Sequence, residues 1–262
     1  MRKLSALLLL LIIGFLIFWF FYPLQSYIVM GIYSGQHSAS SVMRENGFSV
    51  EMPSGEGWYP FLLTFNATGF RGWSGIDADM SIMYNFGAFD PVTRTSSIYD
   101  TGSDKYSSFY GAYAVNKKNG AFGFPNGKLD IDEVTKAVNY DYTQLVLAAF
   151  GCKEPVFSVE SIQTQENASI AGSGGWTRID AILSASGCAH NFKSDKTPYL
   201  QYGRPMKDVP EDFAAVKLCG RIYAKYLEQY GCTVMLYVIA PSESAAEKCD
   251  SGILQKTVIK AS

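Results

Sequence analysis

Three hydrophobic rhythms divide the chain. The first is an unbroken apolar run, LSALLLLLIIGFLIFWFFY from Leu4 to Tyr22, without a charge. At about 1.5 Å per residue it extends about 28 Å, close to the roughly 30 Å hydrocarbon core of a bilayer, so it is expected to be a transmembrane anchor. Arg2 and Lys3 stand before it and the next charge is Arg44. The positive-inside bias therefore predicts a cytoplasmic tail at 1–3, the anchor at 4–22 and everything after it outside the cytoplasm of a single-pass protein in the cell membrane. Trp19, Tyr22 and Tyr27 suit the outer headgroup region. A cleaved secretory signal would need a small-x-small site soon after a shorter apolar region, and Ser38-Ala39-Ser40 lies well beyond. The segment reads as an uncleaved signal-anchor. With no cysteine before Cys152, a lipid-carrying cysteine near the membrane is excluded.

The second rhythm has period two. Met80, Ile82, Tyr84, Phe86 and Ala88 alternate with Ser81 and Asn85, and Ser107–Val115 reads the same way. Asn119-Gly120 before AFGF predicts a β-hairpin. Further strands are expected at Val156–Val159, Thr177–Ala185 and Val216–Tyr226. A turn at Glu228–Gly231 then leads into CTVMLYVIA at 232–240, which is apolar on both faces and reads as a central covered strand.

The third rhythm is helical. Ile131, Val134, Ala137, Val138, Tyr142, Leu145, Val146 and Ala149 recur at helix spacing, with Gly151 as the stop. Asp130 with Glu133 three residues later forms a capping-box pattern at its start. A final helix opens at Pro241 and Ser242 and carries Ala246, Cys249, Ile253, Leu254 and Val258, weakened by Gly252.

Together these elements predict an α+β fold, in which a transmembrane helix precedes an antiparallel-sheet-rich ectodomain with helices packed on the sheet. Phe-Ser-Val-Glu at 48–51 and 157–160, Tyr-Ala at 113 and 223, and turn glycines at 120 and 231 recur at an offset of about 110 residues. After a spacer at 23–45, Ser-rich from Gln36 to Ser41, the chain reads as two similar β-rich units, 46–151 and 152–262, each ending in a helix. Alternatively, the two form one domain.

Composition narrows the function. A net charge of −2 and no basic cluster exclude a nucleic-acid surface. Aromatic segments at 57–61, 69–73, 84–89 and 107–113 suit half-buried strands, with a sugar- or lipid-stacking surface as the competing reading. Five cysteines, Cys152, Cys188, Cys219, Cys232 and Cys249, would permit up to two disulfides outside the cytoplasm or remain buried thiols.

No nucleophile elbow, dinucleotide fingerprint or phosphate loop occurs, and no cofactor is expected. Cys188 and His190 are the one pair resembling a nucleophile and base, among only two histidines. Asn126 to Glu133 resembles the second half of a calcium loop, with Asp130, Asp132 and Glu133 as candidate ligands, although Phe122 and Phe124 occupy positions that need oxygen. Asp77, Asp79, Asp100 and Asp104 read as loop carboxylates. Asn66-Ala-Thr and Asn167-Ala-Ser fit the N-glycosylation pattern. The function expected is a membrane-anchored binding or envelope-assembly module for an envelope protein, glycan or lipid. The rival is a membrane-bound hydrolase of envelope polymers or lipids using His190.

Overall fold

The computed structural model describes residues 2–20, 22–53, 62–86, 89–90, 95–96, 102–148, 152–170, 172–188 and 213–262. In chain order the elements begin with helices α1 (Arg2–Phe20), α2 (Tyr22–Ala39) and α3 (Val42–Glu45), then strands β1 (Phe48–Glu51) and β2 (Leu63–Asn66). A short helix α4 (Phe70–Ser74) precedes β3 (Ala78–Phe86), the two-residue strands β4 (Phe89–Asp90) and β5 (Thr95–Ser96), and β6 (Phe109–Lys117). Next come α5 (Ile131–Asn139) and the strands β7 (Phe157–Ile170), β8 (Ser173–Ser186), β9 (Ala215–Leu227) and β10 (Cys232–Ala240). Helix α6 (Glu243–Gly252) and strand β11 (Val258–Ala261) complete the chain.

The α+β architecture is the one the sequence predicts. Its centre is an antiparallel seven-stranded sheet ordered β2-β3-β6-β10-β9-β8-β7. All of β10 is buried, because every side chain meets one of two apolar layers. Met235, Tyr237 and Ile239 face the layer under α4 and α5, joined by Ile82, Tyr113, Ile179 and Leu183. Val234, Leu236 and Val238 face the other, with Val42, Met43, Phe48, Trp176, Ala246 and Leu254. Each fully buried aliphatic side chain contributes about 1.5–3 kcal/mol. A separate two-stranded ribbon pairs β1 with β11.

Because β6 pairs with β10, strands from both halves of the chain share one sheet. The turn at Gly231 does close a hairpin between β9 and β10. Asn119-Gly120, by contrast, does not lead into a strand. Both edges of β6 are already taken by β3 and β10, so the segment after it packs as a loop, with Phe122 buried and its carbonyl accepting from Thr233 Oγ1 at 2.6 Å. The helices differ as well, since α5 covers one face of the sheet and α6 the other. The expected correspondence between the halves is therefore missing at both the hairpin and the helix.

Two helices also run differently from expectation. After α5 the chain continues as a π-helix at Tyr140–Leu147. Helix α6 stops at Gly252, and Val258 belongs to β11 rather than to the helix.

The segment expected to be a spacer is largely helical, and its end is fixed to the sheet. Ser34 Oγ accepts from the Thr64 amide at 2.8 Å and His37 Nδ1 from the Asn66 amide at 2.9 Å. Side chains of α2 thus satisfy backbone donors of the edge strand β2, groups that would otherwise be open to pairing. Among the described residues, no helix is long and apolar enough to cross a membrane. The described side chains of α1, Lys3–Trp19, account for about 25 Å of rise.

Candidate functional site: an apolar cleft under α5

Helix α5 starts where it does because Asp130 caps it, accepting from the amides of Asp132 at 3.0 Å and Glu133 at 3.1 Å. Glu133 does not complete the box. Its carboxylate instead pairs with Lys117 and accepts from the Gly123 amide, while the Asp130 amide donates to Gly123 O. The helix is thereby tied at its first turn to β6 and to the 121–129 loop. Its apolar stripe then lies across the sheet towards β7.

Between that stripe and the sheet is a cleft of about 40 Å³, room for a few water molecules by volume or for one branched aliphatic side chain. Ile131, Val134 and Val138 form its roof, Ile179, Leu183 and Ile222 its floor, and Phe157, Val159 and Ile162 its outer wall. It is hollow at Gly220, a glycine at a core-facing position of β9 opposite Ala181. The cleft is open where Ile131 and Val159 are half-buried and Ile162 is 36% exposed.

At the inner end stands Tyr237, 1% exposed and stacked on Tyr113 with ring centroids 4.2 Å apart and planes 2° from parallel. Tyr113 donates to Asp141 Oδ2 at 2.8 Å. Asp141 is itself buried, on the first turn of the π-helix, an irregularity frequent at functional sites. Tyr237 Oη finds no hydrogen-bond partner among the described residues. Burial, and then the neighbouring Asp141 charge, hold both phenols well above the usual tyrosine range.

Alternation on β8 places Thr177 on the same face as Ile179, and beside the cleft lies a second, polar hollow that shares none of its lining residues. This groove of about 580 Å³ is bounded by Phe124, Asn126, Glu166, Asn167, Thr177, Lys225, Tyr226 and Glu228. Asn126 and Asn167 both sit in the left-handed region, at φ 55° and 57°, a conformation that asparagine tolerates better than most residues. Lys225 is engaged, donating to Gly174 O at 2.7 Å and lying 5.8 Å from the Trp176 ring centre. Glu166 makes no ion pair among the described residues, which leaves the groove with an available acid.

The chain matches no known protein family, no curated protein and no solved structure.

The residues singled out by sequence lie elsewhere. Cys188 is fully buried; its amide donates to Ser107 Oγ at 2.9 Å, and burial pushes its thiol up to about 12, far from a thiolate nucleophile. His190 lies outside the described residues, as do residues 57–61 and Asp100. All five cysteines are free thiols. Asp130 and Glu133 use their oxygens for the cap and the Lys117 pair, which accounts for these acids without calcium. Among the described residues no cluster of His, Cys, Asp and Glu could hold a metal ion. Asp77 and Asp79 both pair with Arg71 at 3.0 Å. Asn66 Nδ2 donates to His37 O, Ser40 O and Ser40 Oγ, which leaves Asn167 the more accessible of the two sequon asparagines.

Sequence reasoning missed the cleft because its lining comes from five elements, α5, β7, β8, β9 and β10, spread over more than a hundred residues of chain. One signal was present: a glycine in the apolar phase of β9, where a side chain would otherwise fill the core.

Proposed function

We propose that this protein is a membrane-anchored binding module, and that the cleft under α5 with the polar groove beside it is the binding site for a ligand that places a small aliphatic group in the cleft and a cationic group at the groove. The observation that carries the reading is an apolar cleft with a polar groove beside it on the same face of β8. An apolar slot open at one side lies beside a groove bearing Glu166 and Glu228, the arrangement expected of a ligand site with few orienting polar groups. Support for the anchor comes from the uncharged run Leu4–Tyr22 and from the exposure of Leu8, Leu9, Leu10 and Leu11, four successive residues that point to different sides of α1. With α2 bonded to β2, the module would be held close to the membrane rather than on a loose tether.

The test uses the full chain in lipid nanodiscs, with isoleucine methyl NMR during titration with octylamine. The methyls of Ile131, Ile162, Ile179 and Ile222 should shift together. A Cβ at Gly220 would meet Leu183 Cδ1 at an ordinary 3.5 Å, so Gly220→Val should fill the cleft without unfolding the sheet and abolish those shifts. Shifts spread over the surface, or unchanged in the variant, would refute the site.

A further inference from the structure

The outer wall of the cleft is also an edge of the sheet. Strand β7 is the last in the order, and no strand lies beyond it among the described residues. Its pairing with β8 is irregular between Val159 and Ser161 and again after Gln165, while Ser161–Gln165 runs in register with Ile182–Arg178. The edge is therefore straight for one short stretch, with the sequence Ser-Ile-Gln-Thr-Gln, exposed at every position. Edge strands are commonly protected by lysine, proline or an inward charge, and this stretch has none of them. The opposite edge, β2, is covered by α2 through Ser34 and His37. Among the described residues one edge is covered and the other is not, and the uncovered one borders the apolar cleft.

Charge selects the occupant. The acids of β7 are Glu160 and Glu166, and the strand carries no base. Glu160 is met by Lys217 at 3.3 Å, whereas Glu166 makes no ion pair among the described residues. Antiparallel pairing with a second β7 would bring only acids to a strand that already lacks bases, and like charges facing each other across strands are destabilising.

Resting on the reading of the cleft as a ligand site, we propose that β7 takes up an extended segment of a partner protein as an eighth strand along Ser161–Gln165. An aliphatic side chain of that segment enters the cleft beside Val159 and Ile162, and a lysine or arginine faces Glu166. Main-chain hydrogen bonds then supply affinity, and the cleft supplies selectivity, the division of labour seen in strand addition.

The probe is a capped seven-residue peptide alternating threonine and valine and ending in lysine, added to the full chain in nanodiscs. Hydrogen exchange at Ser161–Gln165 is followed together with the isoleucine methyls of the cleft. The peptide should shift the methyls and slow exchange of the outward amides of this stretch about tenfold, the measure of a newly formed ladder. N-methylation of alternate peptide amides should abolish both effects. Glu166→Lys, at an exposed position, should weaken binding about fivefold, the scale of an exposed charge pair. If octylamine moves the methyls while the peptide leaves the amides unprotected, strand addition fails and the cleft survives. If neither probe moves the methyls, both readings fail. Protection that grows with protein concentration and excludes the peptide would mean that a second copy covers the edge, which also overturns the proposal.

Discussion

Tyr113 and Tyr237 stack face to face beneath the cleft, but their hydroxyls are used differently. The Tyr113 hydroxyl supplies a donor to buried Asp141, while Tyr237 Oη has no partner among the described residues. Tyr113→Phe is expected to cost about 1–3 kcal/mol in urea unfolding, because a buried carboxylate loses a donor. Tyr237→Phe removes an unpaired hydroxyl and should change stability by less than about 0.5 kcal/mol; an equal loss in the two variants would contradict this account. Both phenols have raised native values, so above the unfolded tyrosine value near pH 10 the unfolded chain releases protons that the native one keeps. Stability from this pair is complete below that pH and declines above it. On the opposite face, Arg221 donates to Asp180 at 2.7 Å and to Glu247 and Asp250 at 2.6 Å, with Tyr223 completing Asp250 at 2.8 Å. Arg221→Ala leaves Asp250 buried without its cation and should destabilise by about 3–5 kcal/mol.

Among the elements, α2 is attached in a pH-dependent way through His37. His37 accepts from the Asn66 amide through Nδ1, so the neutral ring is the bonded form, and partial burial holds its value below that of an ordinary histidine. Below pH 6.5 the released histidine takes up a proton more readily than the docked one. The docking contribution is therefore full above that value and falls as the solution is acidified. The protection factors of the Thr64 and Asn66 amides, exchange rates corrected for the intrinsic pH dependence, should fall between about pH 6.5 and 5, and His37→Gln should remove that fall; constant protection factors in the native protein would contradict the role given to His37. Helix α5 depends on its cap instead, and Asp130→Ala should cost about 1 kcal/mol. Because Asp130 and Glu133 already have partners, millimolar calcium should leave the melting temperature unchanged.

At the scale of the whole molecule, the shared sheet has a mechanical consequence. The strands before residue 151, β2, β3 and β6, meet those after it, β10, β9, β8 and β7, at the β6–β10 pairing, so separating the halves would expose an edge of β10, which is buried throughout. Urea unfolding followed at Trp176 and by backbone circular dichroism should coincide in one transition, and two separated transitions would show independent halves. The proposed anchor makes a separate prediction: protease added to sealed right-side-out vesicles should digest the domain and spare only a fragment ending near Tyr27. Full protection would reverse the orientation, and a soluble product beginning near Ser41 would indicate cleavage.

Local pattern alone determined the α+β class, the doubly buried strand at 232–240, the Asp130 cap and the β9–β10 turn, because each follows from side-chain periodicity or from backbone chemistry within a few residues. The length of β7 escaped it. From Glu160 to Asn167 that strand is exposed and, apart from Ile162, polar, and an edge strand needs no apolar alternation to be held by its neighbour. The false hairpin at Asn119-Gly120 has the converse cause, since local turn chemistry cannot know that both edges of β6 are occupied. The cleft depends on where α5 lies relative to β7, β8 and β9, and on Gly220 arriving opposite Ala181. Those are register and packing outcomes, fixed by contacts between residues far apart in the chain, and only the tertiary structure decides them.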